Sequence, residues 1–306
     1  MPDRILVTGA GGFIGKHLVT ALASRGARVV AASRHSFDAP TEVERIVGEL
    51  REPRDFVPLL ADCRGVVHLA SSSTPGSSAG NPLAELDANL HTTLALLHAL
   101  QARPDIHLLY VSSGGNLYPP QARAAGESVP TMPRSYHGAG KAAAEQFIMA
   151  WCAQYGARAT ILRPSNVYGP GQEERRGFAV IPTAMRCLLR GETLTIWGDG
   201  SALRDYLYID DFIALCLAAL DCRNDSECEV FNASSGHSIA LNALLAMIET
   251  VGGHTLHRAY AAPRAVDVPS VDIDSGTARR RFAWAPTVDL RDGLSRTWAW
   301  LTAHAQ

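Results

Sequence analysis

The stretch VTGAGGFIG, Val7 to Gly15, places Gly9, Gly12 and Gly15 at three-residue intervals between two kinds of apolar pattern. Before it, RILVTG has the short continuous apolar run of a buried strand. After it, GFIGKHLVTALASRG has helical periodicity and is closed by Gly26. In that context the first glycine permits a tight turn, the second lets a pyrophosphate approach the backbone, and the third lets helix and strand pack closely. The helix N-terminus then faces the anion. A glycine triplet alone says little, but one that follows a strand and opens a helix predicts a dinucleotide site.

Outward from this loop the alternation continues. ARVVAAS, GVVHLAS, IHLLYVSS and ARATILRP are strand-like, and PLAELDANLHTTLALLHAL and a segment from about Tyr136 to Tyr155 are helical. Strands apolar on both faces that alternate with helices predict an α/β fold, a doubly wound parallel sheet of the Rossmann type. Ligands of such sheets lie beyond the carboxyl ends of the strands, so functional candidates follow each apolar run. After Pro164 the rhythm shifts to glycine, proline and charge in YGPGQEERRG, then to short elements between turns. The expected organisation is a dinucleotide-binding domain over 1–165, with 203–233 returning to it, and a smaller C-terminal substrate-binding lobe from 166–202 and 234–306. SSSTPGSSAGNP, Ser71 to Pro82, follows a strand end and is either an active-site loop or a plain surface loop.

The chain has 306 residues, 47% of them hydrophobic and 19% charged, with a formal net charge of −2. That balance supports a sizeable core and argues against a disordered tail or a polyanion-binding surface, so no nucleic-acid partner is expected. No run reaches the roughly 18 to 20 apolar residues of a membrane span; the chain is expected to fold from its first residues and to be cytoplasmic. The six cysteines, at 63, 152, 187, 216, 222 and 228, show neither CxxC nor a framework spacing. They are expected to be buried thiols, with no metal site.

The end of the second strand should meet the adenosine ribose. A carboxylate there favours NAD(H), whereas a small residue and a cation suit a 2′-phosphate. AASRH supplies Ser33 and Arg34 and no acid, so NADP(H) is expected, with NAD(H) as the alternative. Glu49, in RIVGEL, is either an adenine contact, with Leu50 beside it, or an ordinary surface carboxylate.

Taken together, these motifs resemble the extended short-chain dehydrogenase/reductase family, in particular its nucleotide-sugar epimerases, dehydratases and 4-ketoreductases. The likeness includes VTGAGGFIG, VVHLAS, DANLHTT, VSSGGNLY, LRPSNVYGPG, WGDGSALRDYLYIDD, and RAVDVPSVDID followed by DLRDGLSRTWAWL. The resemblance implies cofactor contacts at Gly9, Gly12, Phe13, Ile14, Gly15, Ser33, Arg34, Glu49, Leu50, Leu69, Ala70, Ser71, Asn89 and Lys141. It implies a nucleotide-diphosphate sugar as substrate, held at the diphosphate by Asn166, Arg204 and Arg264, although Arg204 beside Asp205 is equally a structural ion pair. A further family position that often carries asparagine is Ala179 here. The family habit also implies a homodimer through the helix containing Lys141 and the helix from Pro82.

Family chemistry couples hydride transfer at a sugar carbon to proton transfer at its oxygen. A tyrosine usually moves the proton, a lysine four residues later holds the nicotinamide ribose, and a strand serine or threonine assists. Lys141 in GAGKAAAE matches the lysine, but four residues earlier stands His137, not tyrosine. Tyr136 is five residues away, about 140° around a helix rather than about 40°, unless it precedes the helix. The strand position is Gly114, with Asn116 and Ser113 as substitutes. Either His137 or Tyr136 handles the proton, or neither does. A 4-ketoreductase or 4-epimerase is expected. A 4,6-dehydratase would need an Asp-Glu pair where Gly115 and Asn116 stand. The altered positions also allow a catalytically impaired dinucleotide-binding sensor or scaffold.

Overall fold

The computed structural model describes residues 3–74, 76–120, 122–174, 179–222, 227–264, 270 and 272–304. Pro75, 175–177, 265–269 and Val271, which belong to SSSTPGSSAGNP, YGPGQEERRG and RAVDVPSVDID, lie outside the described residues. The chain runs β1 (Arg4–Thr8), α1 (Phe13–Ser24), β2 (Arg28–Ser33), β3 (Glu44–Val47), α2 (Pro53–Phe56), β4 (Cys63–His68) and α3 (Pro82–Glu85). A π-wound stretch, Leu86–Leu90, leads into α4 (His91–Leu100), followed by β5 (His107–Val111), α5 (Tyr136–Tyr155), β6 (Ala159–Pro164) and β7 (Asn166–Tyr168). Then come α6 (Val180–Arg190), β8 (Leu194–Trp197), β9 (Leu203–Tyr208), α7 (Ile209–Asp221) and β10 (Cys228–Ala233). The chain ends with β11 (Ser238–Ala240), α8 (Leu241–Gly252), β12 (Arg258–Ala261), α9 (Gly276–Phe282) and α10 (Leu290–Ala303).

Seven parallel strands form the main sheet in the order β10-β6-β5-β4-β1-β2-β3. Alternate side chains feed two cores. Ile5 and Val7 pack with Leu18 and Val19 of α1 on one face, and Leu6 packs with Phe56, Leu96, Leu108 and Ile148 on the other. Each fully buried side chain of this size is worth about 1.5–3 kcal/mol. From β1 the strand order runs one way through β2 and the other way through β4, which opens a crevice beyond their carboxyl ends. Across the sheet, Arg163 on β6 grips Glu145 on α5 through a buried pair at 2.6 Å, which fixes the helix on the strand ends.

The C-terminal elements build smaller sheets, β11-β9-β7 and β12-β8, with α6, α8 and α10 packed together. The segment expected to rejoin the first domain is divided. β10 extends the main sheet, but β9 pairs with β7, Asn166 against Tyr206, inside the small sheet. Asp205 on β9 still links the two sheets, since its buried carboxylate accepts from Ser165, Ser235 and the backbone N–H groups of Ser235, Gly236 and His237. Those contacts tie β9 to the exits of β6 and β10. Among the described residues no helix is long and apolar enough to cross a membrane, and no cluster of His, Cys, Asp or Glu could hold a metal ion.

Candidate active site

The β1–α1 loop is a close-packed turn made of backbone, with the shape an anion cradle needs. Gly9 has φ +70°, and a Cβ there would sit 2.8 Å from the backbone of Ala70; a Cβ at Gly15 would collide with the Gly9 carbonyl. The Gly12 N–H donates to the Gly9 carbonyl at 3.0 Å, and α1 opens with neither a capping side chain nor an acid in its first turn. The N–H groups around Phe13 and Ile14 thus face outward without competition for an anion. Along the crevice, Ser71 Oγ, Asn89 Oδ1 and Ser112 Oγ are buried without a hydrogen-bond partner among the described residues. Orphaned polar atoms of this kind are what a dinucleotide would satisfy, so these residues fit one. Leu69 and Ala70 continue β4 into the same crevice, partly buried. At the far end Ser33 is half-buried and Arg34 exposed; Glu49 lies 3.8 Å from Arg51, and Leu50 packs on the core beneath.

The start of α5 decides which side chain turns inward. Ser135 caps the helix by accepting from the Gly138 N–H at 3.1 Å, so Tyr136 is the first helical residue. In that register Tyr136 is 45% exposed, whereas His137 is 8% exposed on the same face as Lys141. His137 Nδ1 lies 2.9 Å from Ser73 Oγ, and among the described residues its Nε2 makes no hydrogen bond. Burial, aided by the charge of Lys141, lowers the imidazole pKa to about 4, so it is neutral at pH 7.

Lys141 donates to the Val111 carbonyl at 3.0 Å and lies 4.9 Å from the Tyr110 ring centre. Burial lowers its pKa to about 8 against the opposing pull of Glu85 and Glu145. Glu85 is a buried carboxylate: Oε1 accepts from the Asn89 amide at 3.0 Å, Oε2 has no partner among the described residues, and a Cβ at Gly140 would come 2.5 Å from Oε1. Beneath lies a chain of Thr8, His68 and Thr93 with bonds of 2.7 and 3.0 Å. Burial, then Lys141, lowers the pKa of His68 to about 3.

Gly114 is close-packed: a Cβ there would meet Ile273 Cδ1 at 2.5 Å and the Arg163 carbonyl at 2.8 Å. Asn116 donates its amide to Ser113 Oγ at 3.3 Å, and a Cβ at Gly138 would touch the Asn116 carbonyl at 2.5 Å, so this pair adjoins the start of α5. On the opposite wall, the Asn166 amide donates to the Asp205 carbonyl at 2.8 Å and Arg204 donates to the Leu203 carbonyl at 2.8 Å. Arg264 lies 5.5 Å over the ring of Trp197, an exposed side chain beside an open depression of about 680 Å³ lined by Gly198, Asp199, Tyr260, Ala261 and Pro263. Ala179 takes φ +58° at the head of α6.

The sequence did not single out Ser73, Glu85 or Trp197. Glu85 carried a faint signal, an acid one turn before Asn89 in an apolar pattern. Ser73 carried none beyond its loop.

The pattern described as the NAD dependent epimerase/dehydratase family matches residues 5–234. The UDP-glucose 4-epimerase of Mycolicibacterium smegmatis is 30% identical over 306 residues, covering 96% of this chain and 97% of that one. The structure of UDP-glucose 4-epimerase with UDP-glucose from Thermotoga maritima superposes with a TM-score of 0.92 at 28% identity, covering 99% and 100% of the two chains. MoeE5 in complex with UDP-glucose and NAD superposes with a TM-score of 0.92 at 30% identity over 99% and 100%. Both epimerases are named for turnover, which favours an enzyme over a sensor or scaffold. Cradle, parallel sheet and full-length likeness converge, and the chain belongs to the NAD dependent epimerase/dehydratase family.

Proposed function

We propose that this chain is a UDP-sugar 4-epimerase in which His137 handles the proton that a tyrosine moves in its family. The observation that carries this reading is the inward pair His137 and Lys141 on one face of α5, with Tyr136 turned to solvent. A dinucleotide held here would supply reversible hydride transfer at C4 of the sugar. Gly9, Gly12, Phe13, Ile14 and Gly15 would hold its pyrophosphate. Ser33 and Arg34 would hold the adenosine ribose, Glu49 and Leu50 the adenine, and Leu69, Ala70, Ser71, Asn89 and Lys141 the nicotinamide half. Neutral His137 serves as base through Nε2 and becomes the acid once protonated, and Lys141 opposes a stable imidazolium. Ser113 and Asn116 supply hydrogen bonds where Gly114 leaves no room for a hydroxyl. Asn166, Arg204 and Arg264 would hold the diphosphate, and Trp197 offers the nucleoside a ring surface.

The relatives named above as epimerases support UDP-sugars. Ser33 and Arg34, with no acid at the end of β2, favour NADP(H) and with it a second reading, a 4-ketoreductase that exchanges its cofactor. Leu83, Leu86 and Phe147, exposed on α3, the π-wound stretch and α5, support a homodimer through those helices, and six free thiols suit the cytoplasm. Incubating the protein with UDP-glucose or UDP-galactose, without added reductant, tests the reading. Interconversion should occur, fall sharply in His137→Phe and survive in Tyr136→Phe. Loss only in Tyr136→Phe would overturn the assignment, and turnover that needs stoichiometric NADPH would favour the ketoreductase.

A further inference from the structure

We propose that Ser73 is the positioning residue of the proton-transfer step, accepting from His137 Nδ1–H and so fixing the tautomer that presents Nε2 to the substrate. The inference rests on the reading of His137 as acid/base. Ser73 follows β4 in the loop that enters α3, sixty-four residues from His137, and the two side chains meet at 2.9 Å, both buried. The loop is tied down on both sides of Ser73. Ser72 donates through its backbone N–H and hydroxyl to the Ala88 carbonyl at 3.1 and 3.2 Å. Thr74 and Ser77 exchange bonds of 2.7 and 3.1 Å, and the Ser78 hydroxyl donates to the Thr74 carbonyl at 3.2 Å. A serine held this way presents its oxygen at a fixed point.

The chemistry explains why the position matters. An imidazole acts as base only at the nitrogen that carries no hydrogen, and the partner of the other nitrogen selects which that is. With Nδ1–H donated to Ser73 Oγ, Nε2 keeps its lone pair. It takes one proton from the C4 hydroxyl as that carbon is oxidised, and the imidazolium returns the same proton when the ketone is reduced. Nδ1–H stays on Ser73 through both halves, so Ser73 neither gains nor loses a proton. Were Ser73 the donor instead, Nε2 would carry the hydrogen and oxidation could not begin there. An uncharged partner also leaves the imidazolium short-lived beside Lys141, as a group that must release its proton each cycle requires.

Nitrogen-15 NMR of the ligand-free protein, with the His137 signals assigned by their absence in His137→Gln, reads the tautomer directly. Wild type and Ser73→Thr should show Nδ1–H, and Ser73→Ala should move to Nε2–H. In turnover, Ser73→Ala should lose roughly ten- to a hundredfold in kcat with KM unchanged, the size of a hydrogen bond to a charged group, and Ser73→Thr should recover most of it. The same tautomer in wild type and Ser73→Ala, or wild-type kcat in Ser73→Ala while His137→Gln is inactive, overturns the role of Ser73 and leaves His137 standing. Wild-type kcat in His137→Gln overturns both.

Discussion

At the end of β1 the chain makes an anion site out of main chain: Gly9 at φ +70°, the Gly12 turn and the uncapped first turn of α1 leave no side chain that matters except by being absent. At the start of α5 the opposite holds. In the proposed reading two imidazole nitrogens, one lysine and one serine hydroxyl carry the chemistry, and His137 and Lys141 each meet a partner brought from a distant element. The cradle is one local loop, whereas the proton-transfer corner is an assembly of β4, β5, α3 and α5. A site of the second kind can exchange its tyrosine for histidine only if the surrounding packing changes with it. Glu85 over Gly140, and Ile273 against Gly114, are two of the contacts that pack this corner.

If the corner depends on distant partners, breaking one of them should be costly even without touching the chemistry. Arg163→Met leaves the Glu145 carboxylate buried beside β6 without its cation, and the expected loss is about 3–5 kcal/mol of stability, read as a lower urea midpoint. A loss below about 1 kcal/mol, the size of an exposed pair, would mean that α5 is held by apolar packing and the contrast with the cradle is overstated.

The two regions also differ in what could be read from residues alone. The glycine spacing was legible because backbone approach forbids side chains, a constraint that appears as residue identity. The register of α5 was legible only in part: a one-residue shift turns a side chain by about 100°, and the Ser135 cap decides between Tyr136 and His137. Gly114 showed as a missing hydroxyl, but its cause, contact with Ile273 and the Arg163 carbonyl, needs the fold. Likewise β9 looked like part of the first domain, but its ladder runs to β7 and β11 in a small sheet, while Asp205 links it to the exits of β6 and β10.

Acid should separate the regions next. His137 titrates at about 4 in the folded protein against an ordinary 6.5, because burial and then Lys141 disfavour its charge. Between those values the unfolded chain binds a proton that the folded chain does not, so stability falls as pH drops from 6.5 to 4. At about 1.4 kcal/mol per pH unit the loss from this one residue is roughly 3 kcal/mol at most. His137→Phe should flatten that part of the profile while His68, and His107 on β5, whose pKa burial likewise lowers to about 4, keep their contributions, as urea unfolding across the range would reveal. An unchanged slope would place the imidazole in water.

The cradle has one test that concerns a side chain. Arg34→Ala should weaken NADP(H) by about ten- to a hundredfold, the value of a charge-assisted hydrogen bond to phosphate, and leave NAD(H) unchanged in calorimetric titration. Equal weakening of both would assign Arg34 to the pyrophosphate or adenine, and no effect on either would favour NAD(H).

The smallest effect expected on activity is the most pointed. Gly114→Ser restores the residue type that the family resemblance leads one to expect, and if the corner were simply a damaged version of that pattern, kcat should rise. The packing argues otherwise. The new Cβ would press on Ile273 Cδ1 at 2.5 Å and on the Arg163 carbonyl at 2.8 Å, and the carbonyl belongs to a strand that cannot retreat without disturbing the Glu145 pair. Overpacking of this kind costs about 1–3 kcal/mol, so the variant should lose stability and gain no activity. A rise in kcat at unchanged stability would show that Ile273 yields easily, and that Ser113 and Asn116 are a poor substitute for the hydroxyl rather than its replacement.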